Sequence, residues 1–156
     1  FNLIETIDNV VDSLEPRFKE RSLNLLFDQT EKKVLKVFGD EKKIHQVLIN
    51  LITNSIKYGV DDGTIEVKLE ENDNSKVIVS IIDNGLGIPR EDLARIFERF
   101  YRVEKTRNRD EGGSGLGLSI VKHIIDAHDE KISVQSEEGV GSNFSFSLQL
   151  FISDNK

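Results

Sequence analysis

Apolar residues recur at helical spacing in three parts of the chain. Residues 3–14, 44–59 and 116–128 each direct a row of apolar side chains to one face, as an amphipathic helix does. Pro16 is expected to stop or kink the first helix, so that a second helical piece runs over 15–21 with the proline in its first turn.

Other stretches have the composition or the alternation of β-strands. The predicted strands are 23–28, 34–38, 64–70, 76–83, 131–137 and 142–152. We expect the last two to form a hairpin, 29–33 to be a turn, 89–95 to be a short helix and 153–156 to be a frayed tail. Helices this amphipathic need an apolar sheet face to cover. The pattern therefore predicts one domain over 1–156 with an α/β two-layer sandwich, in which about three helices cover one face of a mixed sheet.

The central helix has an unusual polar side. Asn50, Asn54 and Lys57 follow an i, i+4, i+7 spacing, which places them within about 60° of one another, opposite the apolar row. Asparagine is disfavoured inside helices, so these amides are either solvated or capping groups, or they face a polar ligand. An amide oxygen suits Mg²⁺ and a lysine suits a phosphate oxygen. Asp40 is placed to cap the start of this helix.

The segment Asp83-Asn84-Gly85-Leu86-Gly87 ends an apolar strand abruptly. It is either a simple turn or a reader of adenine, because a shielded carboxylate accepts readily from an exocyclic amine. Gly85 and Gly87 would let the backbone approach a flat ligand closely.

A second glycine-rich segment, 112–118 (GGSGLGL), runs directly into an amphipathic helix. It is either a flexible linker or a phosphate cradle at a helix N-terminus. It is neither a P-loop nor a dinucleotide fingerprint, because no Lys-Ser or Lys-Thr follows it and no strand precedes it. The polar stretch 103–113 before it is expected to be a mobile loop. Arg102 is either a surface residue or a second cation for the phosphates.

Composition narrows the choice of partner. The 156 residues contain 21 Lys and Arg against 28 Asp and Glu, a net charge of −7, which argues against nucleic acid or an anionic membrane surface. The absence of cysteine excludes disulfides and thiolate chemistry. No run of 18 apolar residues exists, so we expect no direct membrane contact. The chain starts at Phe1 and has no Met, which suggests a piece of a longer protein. Any membrane anchor of that protein would lie outside this sequence, and we expect this piece itself to be cytoplasmic.

Five motifs in order resemble the catalytic ATP-binding domain of bacterial sensor histidine kinases, within the gyrase/Hsp90/histidine kinase/MutL superfamily. Residues 45–58 (HQVLINLITNSIKY) resemble the N box, 83–88 (DNGLGI) the first glycine box, 97–102 (FERFYR) the F box, 113–122 (GSGLGLSIVK) the second glycine box and 139–144 (GVGSNF) the last one. The resemblance covers nearly the whole chain. It implies a Bergerat-type ATP-binding fold, with ATP and Mg²⁺ bound between the helices and a lid.

The resemblance also implies a role for each matching residue. Catalysis would depend on Asn54 as the Mg²⁺ ligand, on Lys57 and on Arg102, with Phe97 and Phe100 anchoring the lid at 103–113. The residues implied in nucleotide binding are Asn50, Asn54, Lys57, Tyr58, Asp83, Gly85, Gly87, Ile88, Arg102, Gly113, Ser114, Gly115, Leu116, Gly117 and Leu118.

In this family the γ-phosphoryl group passes to a histidine on a separate dimerisation domain, in a two-component system with a response regulator. ATPases of the gyrase and Hsp90 type carry a water-activating Glu where this chain has Asn50, so the resemblance favours transfer over hydrolysis. None of the three histidines has the sequence context of the acceptor, so this chain, which we expect to be monomeric, should bind ATP without autophosphorylation. Two alternatives stay open: a nucleotide-binding switch that has lost catalysis, and a serine-directed kinase of the anti-sigma type. One departure is Asp129-Glu130, where the family has Gly-Gly at the end of a helix.

Overall fold

Five strands form one mixed sheet in the order β1-β2-β3-β5-β4. The computed structural model describes residues 1–27, 34–103 and 115–152. Strand β1 runs parallel to β2, and the β2–β3, β3–β5 and β5–β4 pairs are antiparallel. The strands are β1 (Asn24–Phe27), β2 (Thr64–Glu71), β3 (Lys76–Asp83), β4 (Ile132–Glu137) and β5 (Gly141–Gln149).

Three helices cover one face of this sheet: α1 (Leu3–Glu20), α2 (Glu41–Lys57) and α3 (Gly117–Ala127). Alternate strand residues on that face, such as Ile81 and Phe144, are fully buried. The opposite face is polar, and there Ser80 and Ser145 share a hydrogen bond of 2.9 Å. This arrangement confirms the predicted two-layer sandwich with a mixed sheet. In the parts of the chain that the structure describes, no helix is both long and apolar enough to cross a bilayer.

The prediction that the first helix stops at Pro16 and a second one follows is wrong, because α1 continues through Pro16 to Glu20. A proline inside a helix removes one hydrogen bond and strains the preceding turn. Here Pro16 lies on the exposed side of α1, where water can satisfy the carbonyl that loses its partner. Phe18, which is only 5% exposed, holds the last turn against the core. Burial of that turn outweighs the local cost of the proline.

The prediction of a strand over 34–38 is also wrong. This segment forms only two isolated bridges, Asn2 with Lys36 and Val37 with Leu150. One edge of the segment pairs with the residue before α1, and the other edge pairs with the residue after β5. Each pairing is limited to one pair of residues, so no continuous ladder forms. The predicted helix over 89–95 is reduced to one 3₁₀ turn, Arg90–Asp92. The predicted turn at 29–33 and the tail at 153–156 lie outside the described residues.

The link between α3 and β4 keeps a left-handed helix cap without the family's glycines. Asp129 adopts φ +57°, and the Glu130 amide donates to the carbonyl of Ile125 at 3.1 Å, as in a Schellman motif. The Glu130 carboxylate then accepts from Lys76 Nζ at 2.6 Å and from the Ser147 hydroxyl at 2.7 Å. The Glu130 side chain is only 7% exposed. Glu130, which replaces the second glycine of the family's Gly-Gly, therefore bonds this link to β3 and β5.

Candidate active site

A cavity of about 290 Å³ lies between α2, the start of α3 and the end of β3. Its volume is near the lower end of the range for ligand sites. Its wall contains Asn50, Thr53, Asn54, Lys57, Tyr58, Asp83, Gly87, Ile88, Ile96, Tyr101, Arg102, Val103, Gly115, Gly117, Leu118 and Ser142.

The polar side of α2 forms one wall of this cavity, as its spacing predicts. Asn50, Asn54 and Lys57 all line it, together with Thr53 between them. The Asn50 amide nitrogen donates to the Gly117 carbonyl at 3.3 Å, so it joins α2 to the start of α3. No described residue forms a hydrogen bond with the Asn54 side chain. The side-chain amide of Asn54 is therefore open to a ligand in the cavity.

Asp83 lies at the base of the cavity, at the last position of β3. Its Oδ1 accepts from the Gly85 amide at 2.9 Å. Burial raises the pKa of the Asp83 carboxyl above its usual value, whereas the Gly85 amide, the Ser55 hydroxyl and the Ser142 amide oppose this rise more weakly. The Ser55 hydroxyl is close enough to Asp83 to affect the pKa of that carboxyl. The distance and angles of this contact are nevertheless outside those of a hydrogen bond, and the hydroxyl has no other partner among the described residues.

Gly85 and Gly87 have different places in this site. Gly85 does not line the cavity; a Cβ there would collide with the carbonyl oxygen of Tyr58, so its smallness lets the loop after β3 pack on the end of α2. Gly87 does line the cavity, and with φ +72° a Cβ there would collide with the carbonyl of Glu137. Both glycines allow close backbone packing, but only Gly87 meets the space where a ligand would bind.

The other end of the cavity carries positive charge and the start of α3. Arg102, Gly115, Gly117 and Leu118 line it, whereas Leu116 does not. Among the described residues, no side chain caps α3, and the first turn of this helix contains no acidic residue, so the start of α3 suits an anion. Gly113, Ser114 and most of the expected lid at 103–113 lie outside the described residues.

The two phenylalanines expected to anchor the lid differ in environment. Phe97 packs edge-on against Phe144 in the core, with ring centroids 6.2 Å apart. Phe100 is 63% exposed, and its amide donates to the Gly115 carbonyl at 2.9 Å. Because residues 104–114 lie outside the described part of the chain, the anchoring role stays a prediction for both phenylalanines.

Sequence reasoning missed five residues of the cavity wall. Thr53 follows from the helical spacing, since it lies between Asn50 and Asn54. The other four, Ile96, Tyr101, Val103 and Ser142, come from segments whose place depends on the packing of the chain. The Tyr101 hydroxyl donates to Asp92, and its ring lies 4.6 Å from the guanidinium of Arg95.

The described residues fit a bound nucleotide with its metal. Thr53, which lines the cavity, has a buried hydroxyl without a hydrogen-bond partner among these residues, a costly state unless something else pairs with it. The wall also offers a carboxylate, side-chain amides and two cations. These groups suit the base, the metal and the phosphates of a nucleoside triphosphate.

The family model for histidine kinase-, DNA gyrase B- and HSP90-like ATPases matches residues 39–152. The chain belongs to this family. The match includes the central helix, both glycine-rich segments and the last hairpin, so it covers every wall of the cavity.

Relatives of this ATPase-family domain include sensor kinases. The adaptive-response sensory kinase SasA of Gloeothece citriformis (strain PCC 7424) is 42% identical over 144 residues, which are 91% of this chain and 35% of that protein. The chain spans 18% to 35% of the length of the first curated relatives that it matches.

Solved structures of histidine kinases have the same fold. The catalytic domain of ThkA superposes with a TM-score of 0.81 at 35% identity, over 96% of this chain and 93% of that one. A second ThkA structure, in complex with the response regulator protein TrrA, gives a TM-score of 0.77 at 31% identity, over 100% of this chain and 42% of that one.

Proposed function

We propose that this domain binds ATP with Mg²⁺ in the cavity and donates the γ-phosphoryl group to a histidine on a separate dimerisation domain. The observation that carries the proposal is that one cavity gathers the Asp83 carboxylate, the Asn54 amide and the cations of Lys57 and Arg102 in its wall. Family membership supports ATP as the nucleotide.

Each end of the cavity would have its own task. The Asp83 carboxylate would accept from the exocyclic amine of adenine, and the amides at the start of α3 would hold phosphate oxygens. Asn54 would be the Mg²⁺ ligand from α2. Mg²⁺ supplies neutralisation of the charge that develops on the phosphates during transfer.

Asn50 supports transfer over hydrolysis. Attack by water needs a base, and an amide cannot act as one. The Asn50 amide nitrogen is also engaged with the Gly117 carbonyl, so this side chain acts as a link between α2 and α3. The acceptor histidine would belong to another part of the parent protein, and a response regulator would receive the phosphoryl group, as the ThkA–TrrA complex suggests by analogy.

Metal-dependent binding is the first test. A fluorescent ATP analogue should bind more tightly with Mg²⁺ than with a chelator, and Asn54→Ala should lose that difference. Asn9→Ala, which removes an exposed amide from α1, is the matched control and should keep it. Equal affinity with metal and chelator in the wild type would instead favour a nucleotide-binding switch.

Transfer is the second test. Incubation with γ-labelled ATP and the histidine-bearing dimerisation domain of the parent protein should give acid-labile phosphohistidine. Acid-stable phosphate would indicate a serine-directed kinase. No phosphate on a correctly folded dimerisation domain would count decisively against the proposed function.

A further inference from the structure

Three hydrogen bonds meet at the hydroxyl of Ser136, a half-buried residue of β4 behind the Asp83 end of the cavity. The Ile88 amide lies 2.8 Å from Ser136 Oγ, the Gly141 carbonyl oxygen 2.9 Å and Ser142 Oγ 2.8 Å. Two of these partners, Ile88 and Ser142, line the cavity, whereas Ser136 does not.

The chemistry of these partners fixes the direction of each bond. A hydroxyl has one proton and two lone pairs. The Ser136 proton must go to the Gly141 carbonyl, which can only accept, and the Ile88 amide can only donate to Ser136. One lone pair of Ser136 remains for its contact with Ser142. That contact therefore uses the Ser142 proton, which points away from the cavity.

Ser142 is left with acceptor capacity alone toward a ligand. Its side of the cavity adjoins Asp83, because β3 and β5 pair these two residues directly. The Ser142 residue is only 9% exposed, so bulk water has little access to its hydroxyl. A base that presents an amine to this corner finds acceptors, whereas a base that presents a carbonyl oxygen meets acceptors with no proton between them.

We propose that Ser136 is a positioning residue that sets the base preference of the site: by holding the Ser142 proton, it keeps Ser142 an acceptor and favours a 6-aminopurine over a 6-oxopurine. This inference rests on the proposed binding of ATP. Ser136 acts through Ser142 and does not itself touch the base.

The test compares two nucleotides in one variant. Isothermal titration with non-hydrolysable ATP and GTP analogues should show that Ser136→Ala lowers the preference for ATP over GTP by about tenfold, because the freed Ser142 proton can turn toward a carbonyl oxygen of the base. Ser136→Thr keeps the hydroxyl and should keep the preference. Ser133→Ala, on the exposed side of the same strand, is the control and should behave as the wild type.

A double variant separates positioning from packing. If Ser136 acts only through Ser142, Ser136→Ala should not change the preference when it is added to Ser142→Ala. If Ser136→Ala fails to fold, Ser136→Cys, whose thiol is a weak acceptor, should lower the preference in the same direction.

The outcomes also distinguish the inference from the proposed function. A wild type that binds neither analogue would overturn the proposed function and the inference with it. A wild type that prefers ATP, with an equal loss of affinity for both analogues in Ser136→Ala, would overturn the inference alone and leave Ser136 a purely structural residue.

Discussion

Replacing Arg21 with methionine will destabilise the domain and loosen the end of α2 that carries Lys57 and Tyr58. Arg21 follows α1 directly, and its guanidinium donates to three carbonyls at the end of α2. Nη1 donates to the Ile56 oxygen at 3.0 Å and to the Lys57 oxygen at 3.4 Å, and Nη2 donates to the Gly59 oxygen at 2.8 Å. One side chain therefore caps a helix whose last carbonyls have no partner inside the helix.

The size of the effect follows from these contacts. Hydrogen bonds from a charged group contribute about 1.5–3 kcal/mol each, and a cation at a helix C-terminus about 0.3–1 kcal/mol. The bond to Lys57 is long, and the Arg21 side chain is 33% exposed, so water replaces part of what is lost. We expect a loss of about 3 kcal/mol in the free energy of unfolding, or roughly 6–12 °C in Tm for a domain of this size. Methionine keeps the aliphatic stem, so the loss reports on the donors.

The assay is urea unfolding followed by circular dichroism, with binding of the ATP analogue measured on the same samples. The control is Lys19→Met, which removes an exposed ion pair with Glu15 from the same helix and should cost about 0.5 kcal/mol or less. Binding should weaken in the Arg21 variant, because the turn that presents Lys57 and Tyr58 is no longer held, and it should be unchanged in the control. If the two variants unfold at the same urea concentration, the capping argument is refuted.

Three further substitutions test the cavity, the last hairpin and the link between α3 and β4. Burial raises the Asp83 pKa, so the ionised form costs stability: Asp83→Asn should be as stable as the wild type or more so, by a margin that grows as the pH rises through the folded-state pKa. The same variant should bind the ATP analogue roughly tenfold more weakly or worse, and unchanged affinity would show that Asp83 is only a turn residue. The new Cβ of Gly141→Ala would collide with the carbonyl of Asp83, so this substitution should lower the free energy of unfolding in urea by about 3 kcal/mol or more. The Cβ of Gly139→Ala meets nothing within 4 Å, so this control should lose about 1 kcal/mol. Equal losses in the two variants would contradict the packing argument. Asp129→Gly should raise Tm through a gain of about 0.5–1 kcal/mol, since it relieves a left-handed conformation, and a lower Tm would show that the Asp129 side chain stabilises the cap.

The sequence predicted the α2 wall of the cavity because local periodicity alone decides it. Once an apolar row faces the sheet, Asn50, Asn54 and Lys57 must face the other way, wherever the rest of the chain lies. The abrupt end of an apolar strand likewise placed Asp83 at a sheet edge. Neither inference needs the tertiary structure. The residues that each inference named do line the cavity.

The features that the sequence did not reveal depend on pairing between distant segments. Ser142 reaches the cavity only because β5 pairs with β3 in the register that sets it beside Asp83. Arg21 stands in a polar run with no local sign that it caps another helix. The error at Pro16 has the same origin, because local propensity takes no account of the burial of Phe18 that holds the last turn of α1.

The backbone packing around Gly87 closes one route to resistance against an inhibitor at the base end of the cavity. A side chain at this position would collide with the backbone of Glu137 before it could displace a bound compound. A substitution that excludes the inhibitor there would therefore also damage the fold. Leu118, at the opposite end, is only partly buried, so its side chain can be exchanged with less damage to the fold. A compound that rests on Gly87 should select resistance less readily than one that depends on contact with Leu118.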